Sequence, residues 1–311
     1  MSKLLLLSTT ALLLTSCYRV SDRIDPKIEY SVQEAYLKRL PPAFAPLSRA
    51  ELTEGWGHEY QIGLGFSKML DLYQAITAFK RALILIPEKN PRHIEIEYEV
   101  LFCYYLAKKY DAVLETFETS HLRQATPDFI AYNDLLVILY DAYQAQNNPQ
   151  AANQILQLIE QHHPETAKTL TLSYNLAHGN IDDAKALAPT NSSFEALLTS
   201  YENERKSVSK AKTYNALLPG AGYLYLGQTQ SAITAFLLNG LFITASALCF
   251  THHNAAAGAI FASFECGWYF GGIYGAGEEA KFYNERLYEC KLGPAMNHEH
   301  LFPIFTLKHA F

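Results

Sequence analysis

The feature that most restricts the fold of this chain is a pair of apolar runs in its C-terminal third. Residues 231–250 carry no charged side chain, residues 255–277 carry one, and only four residues separate the two runs. A helix needs about 20 predominantly apolar residues to cross a bilayer. The sequence therefore predicts two antiparallel helices that form a membrane hairpin. The alternative is a hairpin of the same kind that is buried inside a soluble protein.

The second run carries a small residue at every fourth position. These residues are Ala255, Ala259, Ser263, Gly267, Gly271 and Gly275. Side chains four apart lie on one helix face, and a face of small residues lets another helix backbone approach closely. We therefore expect Gly267, Gly271 and Gly275 to be packing positions of the hairpin.

Glu265 is the one charged residue within the two runs. An acidic side chain inside a membrane is costly, so it suggests a function such as a proton or ion path. The alternative is structural: a protonated Glu265 donates a hydrogen bond to Asn239 or Tyr269 and holds the hairpin together. A single acid does not make a transport route, so the structural interpretation is favoured.

The hairpin is preceded by a glycine-rich motif, residues 218–222, which reads Leu-Pro-Gly-Ala-Gly. The motif and the apolar helix after it resemble a small bacterial domain of unknown function, over residues 216–286. Members of that family usually carry glutamine after the second glycine, where this chain has Tyr223. The resemblance implies a membrane-associated helical hairpin with no known activity.

The N-terminus has the pattern of an export signal. One basic residue is followed by the apolar run Leu4–Leu14, which is too short to span a membrane and is typical of a signal peptide. The run ends in Leu14-Thr15-Ser16-Cys17, which resembles a bacterial lipobox. That resemblance implies cleavage after Ser16 and a lipid on Cys17. An ordinary signal peptide is the alternative.

A helical repeat is predicted in the middle of the chain. Within residues 56–89, small and aromatic residues stand at fixed offsets before a proline: Gly63, Phe66, Ala75, Phe79, Ala82 and Pro87. This spacing resembles the tetratricopeptide repeat, in which two antiparallel helices cross closely. Further copies start at Ile94 and Asn133, 38 and 39 residues apart, and a shorter unit covers residues 167–189.

Stacked repeats of this type share one continuous core and form a groove. In the family the first helix of each pair lines that groove. The resemblance places nine groove residues in this chain: Tyr60, Lys68, Glu95, Tyr98, Phe102, Tyr105, Asp134, Asp141 and Gln144. Aromatic side chains are favoured at recognition sites, so the groove is predicted to bind a protein partner. Alternatively, several of the tyrosines pack between helices.

Composition and missing motifs exclude other classes of function. With 25 basic and 31 acidic residues, the net charge of −6 lacks the basic footprint of a nucleic-acid-binding protein. The five cysteines are too widely spaced for a zinc motif, and neither phosphate loops nor hydrolase motifs occur. No catalytic residue, cofactor or metal ion is predicted. His298, Glu299 and His300 lie in a segment that is predicted to be a solvated tail.

The sequence thus predicts an all-α protein, in which a tetratricopeptide-like solenoid precedes an apolar helical hairpin. The predicted order is a signal peptide (1–16), a tether (17–47), repeats (48–190), a connecting helix (191–213), the hairpin domain (214–290) and a tail (291–311). Cys17 and the hairpin would hold the chain on lipid in the bacterial cell envelope, with the repeats on the non-cytoplasmic side.

The predicted function is a non-enzymatic scaffold for an envelope protein. The alternative is a component of a transport or channel assembly, in which the hairpins form a homo-oligomer.

Overall fold

The computed structural model describes residues 20–30, 34–187 and 193–311. All regular elements in these ranges are helices, which confirms the all-α prediction, and the β-type pairing there is one isolated bridge between Pro42 and Ala310. The chain divides into two compact units. We call the first, Glu29–Asn175 with Ala295–Phe311, the groove unit. The second, Leu176–Pro294 with the segment that ends at Ile28, is the hairpin unit.

The groove unit is built from short helices joined by tight turns. They are α1 (Glu34–Leu37), α2 (Arg49–Thr53), α3 (Gly55–Lys68), α4 (Leu72–Leu85), α5 (Arg92–Leu106), α6 (Tyr110–Thr119), α7 (Tyr132–Ala145), α8 (Pro149–His162) and α9 (Pro164–Ala177), which runs past the end of the unit. Single 3₁₀ turns occupy His121–Gln124 and Pro303–Thr306. Helices α3 and α4, α5 and α6, and α7 and α8 form antiparallel pairs, as three-residue connections require.

Each of these pairs closes with the same turn. The turn residues Leu70, Lys108 and Asn147 adopt positive φ angles of 57°, 55° and 54°. The next N–H in each turn bonds a carbonyl five residues back, as in Asp71 to Phe66 at 3.0 Å, which is the Schellman helix ending. The turns recur after 38 and 39 residues, the spacing of the predicted repeats.

The α3–α4 pair shows why small residues stand at the crossing. A Cβ atom on Gly63 would lie 2.5 Å from the ring of Phe79, so only glycine lets the ring pass. Ala75, Phe79 and Ala82 on α4 are completely buried. A larger side chain at position 63 would overpack this contact and destabilise the core, so the crossing requires glycine there.

The first helices of the second and third pairs are buried on more than one side. In α5 the run Ile96–Cys103 is buried without interruption, and in α7 the same holds for Asp134–Tyr140. In α6 one residue, Val113, is buried, and in α8 two are, Ala152 and Ile159. A helix buried all round needs cover on both faces. Helices α6 and α8 provide one cover; the other is described below.

The hairpin unit contains the longest helices. They are α10 (Ile181–Leu187), α11 (Ser193–Glu204), α12 (Val208–Leu217), α13 (Ala221–Tyr225), α14 (Thr229–Thr251) and α15 (Ala255–His298). The connecting helix predicted over residues 191–213 is divided in its described part, because Ser207 caps the N-terminus of a new helix, α12. The amide of Asn284 binds both the N–H and the carbonyl of Lys206 at that break (2.7 and 2.8 Å).

The glycine-rich motif forms the turn between α12 and α13. Gly220 adopts a φ of +93°, which favours glycine, and its N–H donates to the side chain of Asn215 at 2.9 Å. A Cβ on Gly222 would collide with the carbonyl of Ala211. Both glycines of the motif are therefore required by backbone geometry.

Helix α14 buries a narrow face of small and polar residues and exposes its large apolar side chains. Its buried residues are Ala232, Asn239 and Ser246, seven apart on one face. Its large apolar side chains, such as Phe236, Leu237 and Leu241, are more than half exposed. Among the described residues, α14 alone is long and apolar enough to cross a membrane. The second predicted span does not meet that measure, because its glycines, tryptophan, tyrosines and Glu265 lower its mean hydropathy.

Candidate functional site

The nine predicted groove residues lie on α3, α5 and α7, and the side of these helices that carries them is called the groove face. Lys68 is exposed, while Glu95, Asp141 and Gln144 are partly exposed. The others are almost completely buried: Tyr60, Tyr98, Phe102, Tyr105 and Asp134. An open groove would leave such side chains accessible, so something covers this face.

The cover comes from the chain itself. One part is the C-terminal segment, residues 301–311, and the other is the N-terminal strap, residues 41–47. The two are joined by backbone hydrogen bonds from Ala43 to Ala310 (3.3 Å) and from Ala310 to Pro41 (3.0 Å). The segment predicted to be a solvated tail is therefore folded, and Phe302, Ile304 and Leu307 within it are buried.

Asp134 on α7 is the main polar anchor of the C-terminal segment. Its two carboxylate oxygens accept the backbone N–H groups of Lys308 (2.9 Å) and His309 (3.0 Å). The imidazole Nδ1 of His309 lies 2.9 Å from the same carboxylate. Burial raises the pKa of Asp134, and the hydrogen bonds from Lys308 and His309 act in the opposite direction. This arrangement recognises main-chain donors of an extended segment.

Aromatic contacts complete the cover. The ring of Phe311 lies 4.8 Å from that of Phe102, measured between centroids, and Phe44 packs edge-on against Tyr98 at 5.7 Å. Such pairs add about 0.5–1.5 kcal/mol beyond the apolar area that they bury. The groove face therefore binds aromatic side chains from the strap and from the C-terminal segment.

Polar contacts hold the C-terminal end of the strap. Arg92 donates to the carbonyl oxygens of Ala45 (2.8 Å) and Pro46 (3.3 Å), and it also pairs with Glu95 at 2.8 Å. Farther along the face, the hydroxyl of Tyr105 donates to Asp141 at 2.9 Å. Burial raises the pKa of Asp141 to about 6.

Glu99 is a buried acid next to the groove residues, and it was not among the residues predicted from the sequence. Its side chain is 3% exposed, and its Oε2 atom has no hydrogen-bond partner among the described residues. Burial raises its pKa to about 8; Glu95 adds to the shift and Lys68 opposes it. Its position in the sequence, one residue after Tyr98 on α5, does not by itself predict that this acid is buried.

Gly267, Gly271 and Gly275, the predicted packing glycines, line a cleft of about 990 Å³ between α14 and α15. Gly275 lies against the hydroxyl of Tyr223. Gly267 and Gly271 are exposed, and no side chain or neighbouring helix lies within 4 Å of their Cβ positions. The intramolecular hairpin therefore leaves two of the three packing glycines without contact.

Glu265 does not make the expected hydrogen bonds. Tyr269 donates to the carbonyl of Ala216 at 2.6 Å, and the amide of Asn239 donates to the carbonyl of Ala235 at 2.6 Å. Within the described part of the chain, the Oε2 atom of Glu265 and the Oδ1 atom of Asn239 are both buried without a partner. The described residues therefore contain neither of these two hydrogen bonds, and the role of Glu265 stays a prediction.

Other predicted residues fall outside these two surfaces. Cys17, the predicted lipidation site, lies outside the described residues. His298 ends α15 and contacts Glu299, while the ring of His300 packs on Tyr36 and Phe305. The two segments that cover the groove face were not among the residues predicted from the sequence. The mostly apolar composition of residues 301–311 was the available signal, because apolar segments are seldom solvated.

No protein-family model, curated protein or solved structure is significantly similar to this chain.

Proposed function

We propose that this chain is a lipid-anchored scaffold of the bacterial cell envelope, and that its groove face binds an extended segment of an envelope protein. The observation that carries the proposal is that this face already holds two segments of its own chain, the strap and the C-terminal segment. It does so with a buried carboxylate for main-chain N–H groups and with aromatic rings for side chains. In this proposal the protein is not an enzyme and needs no cofactor.

The helix pairs are proposed to form a tetratricopeptide-like solenoid. Three features support this arrangement: the antiparallel pairs, the turn that recurs after 38 and 39 residues, and the glycine that lets Phe79 pass between α3 and α4. In such a solenoid the first helices α3, α5 and α7 line the binding surface, which agrees with where the covering segments lie.

Membrane attachment is proposed through a lipid on Cys17 and through the hairpin. The outward apolar side chains of α14 support the second anchor, because soluble proteins rarely expose large apolar patches. The groove unit would then lie on the non-cytoplasmic side.

The covering segments indicate the chemistry of the partner. A partner segment that replaces residues 301–311 would offer consecutive free N–H groups to Asp134 and an aromatic or aliphatic side chain to the Phe102 site. It would also have to compete with the chain's own segment, so binding is expected to be weak until that segment is displaced. Partner binding is therefore easier to detect with a chain that lacks residues 302–311, because that chain has no competing segment.

A peptide of residues 301–311 tests the binding surface directly. We expect this peptide to bind the chain that lacks residues 302–311, and to bind the full chain much more weakly, because the full chain's site is filled. The truncated chain should also enrich an envelope protein from detergent-solubilised membranes, and the peptide should release it. Fluorescence anisotropy of the labelled peptide and mass spectrometry of the captured protein measure the two effects.

A scrambled peptide of the same composition is the control, and Asp134→Ala in the truncated chain should abolish binding of the true peptide. Substitution of Tyr98 or Tyr105 is less useful, because both are buried in the core. If the folded truncated chain binds neither peptide, or both equally, the groove face is not a peptide site.

A second candidate is a subunit of an envelope transport or channel assembly. The observation that favours it is the exposure of Gly267 and Gly271 on a helix face with no packed neighbour. A helix from another copy of the chain would fit such a face.

In this second candidate, Gly271→Leu should convert oligomers into monomers in mild detergent, because the added side chain keeps the second backbone away. Gly240→Leu is the matched control, since Gly240 on α14 also has open space around it but lies outside the glycine face. Size-exclusion chromatography with light scattering measures the mass. A wild-type chain that is monomeric in detergent contradicts this candidate.

A further inference from the structure

A cluster of two histidines and one glutamate joins α5 to the 3₁₀ turn that follows α6. His93 and Glu97 are four residues apart on α5, and His121 opens the turn. Their ligand atoms all lie within 4.8 Å of one another. We propose that His93, Glu97 and His121 bind a divalent transition-metal ion, and that zinc is the ion this set fits best. The site is independent of the proposed scaffold function.

The distances between ligand atoms match those around a tetrahedral ion. The Oε1 atom of Glu97 lies 2.9 Å from Nδ1 of His121 and 3.3 Å from Nδ1 of His93. Two ligands bound to zinc at about 2.0–2.1 Å in a tetrahedral site are about 3.3 Å apart. Both distances from Glu97 are therefore within about 0.4 Å of the tetrahedral value, and the ligand atoms of the two histidines lie within 4.8 Å of each other, so an ion can be bound once the imidazoles close around it.

The cluster is held in place before any ion binds. The Glu97 side chain is 8% exposed, and its second oxygen accepts the backbone N–H of His121 at 3.0 Å. That bond leaves Oε1 directed at the two imidazoles. Partners of this kind orient metal ligands in proteins.

One atom of the cluster lacks a partner. The Nδ1 atom of His93 is buried and makes no hydrogen bond within the described chain, although Oε1 of Glu97 is nearby. Buried polar atoms are normally paired, because leaving one unpaired costs free energy. A metal ion bound to this nitrogen would satisfy it.

The ligand types select the kind of ion. Neutral imidazole and carboxylate are ligands of zinc and related transition metals, whereas calcium and magnesium take oxygen ligands. Three protein ligands leave a fourth position, and the side chain of His121 is 47% exposed, so water reaches the site. The bound ion would fasten the connection between α6 and α7 to α5.

Zinc binding by the full chain tests the site. The chain is purified in detergent without a histidine tag, freed of metal with a chelator, and dialysed against Zn²⁺. We expect one tightly bound ion per chain, and we expect His121→Asn and Glu97→Gln each to weaken it at least about tenfold. Cobalt should give the visible absorption of a tetrahedral site in the wild type and lose it in both variants.

The control replaces His162 and His163, an adjacent pair at the end of α8, with asparagine; it should leave the tight site unchanged. If His121→Asn alters the fold, its circular dichroism spectrum will show the change. In that case Glu97→Gln tests metal binding instead, because glutamine still accepts the N–H of His121 and lacks the carboxylate charge. The proposal is overturned if the wild type binds no ion tightly, if binding survives both cluster variants, or if it is lost instead on His298→Asn.

Discussion

Asp134→Ala is expected to release the C-terminal segment from the groove face. The carboxylate is 1% exposed and receives three contacts from Lys308 and His309. Its removal leaves two backbone donors without acceptors, and each buried unpaired donor costs about 1–3 kcal/mol. We expect the segment to lose on the order of 3 kcal/mol of local stability.

Hydrogen exchange of residues 301–311, followed by mass spectrometry, measures this loss. A loss of that size corresponds to exchange on the order of 100-fold faster, since each 1.4 kcal/mol is about a factor of ten. The amides of α4, which do not contact Asp134 through any described hydrogen bond, should keep their protection. The effect is therefore local to the segment and does not report general unfolding.

The matched control is Asp128→Ala, because Asp128 is an exposed aspartate of the same unit. Surface substitutions of this kind usually change stability by less than about 0.5 kcal/mol. If residues 301–311 exchange at the same rate in Asp134→Ala as in the wild type, the carboxylate is not what holds the segment in place.

Glu99→Gln is expected to stabilise the groove unit at neutral pH. Burial raises the pKa of Glu99 from 4.5 to about 8, so the folded state prefers the protonated acid. The stability that goes with the protonated form is complete below pH 4.5 and is lost as the pH rises towards 8. Glutamine has the shape of the protonated acid and does not ionise. The gain at about pH 7 should be on the order of 3 kcal/mol.

The pH dependence separates this effect from a simple packing effect. The variant and the wild type should have nearly equal stability at about pH 4, and the difference should grow between pH 4.5 and 8. Urea unfolding of the groove unit, monitored by tyrosine fluorescence at several pH values, measures the difference. A constant difference at every pH would contradict the assignment of the shift to Glu99.

The exposed Glu160 on α8 supplies the control. Glu160→Gln makes the same chemical change without burial, so its unfolding free energy should follow that of the wild type across the whole pH range. A pH-dependent gain in this variant as well would mean that net charge, not Glu99, sets the response.

The helices and their pairing were predictable from the sequence because short-range signals define them. Asp71 and Asn148 cap α4 and α8 within three residues of their own positions, and glycine and alanine mark where helices cross. In the Leu-Pro-Gly-Ala-Gly motif, Gly220 is required by its own positive φ angle, and Gly222 by the carbonyl of Ala211 eleven residues before it. The caps act within three residues, and the glycine contacts named here join neighbouring helices of the chain.

Only the tertiary structure decided whether the groove face is open or covered. Phe102 and Phe311 are 209 positions apart, and Asp134 and Lys308 are 174 apart. No local pattern predicts that such residues meet, because the contact depends on the path of the whole chain between them. The break before α12 combines both kinds of contact, since Ser207 caps the new helix locally and Asn284 binds Lys206 from 78 residues away.

The sequence by itself therefore determined that the chain is helical, where its helices pair, and which region is apolar. The tertiary structure decided that the predicted binding residues are covered by the chain's own segments, and that His121 joins His93 and Glu97. The physical reason is that helix formation depends on neighbours within a few residues, whereas a site depends on side chains brought together by folding.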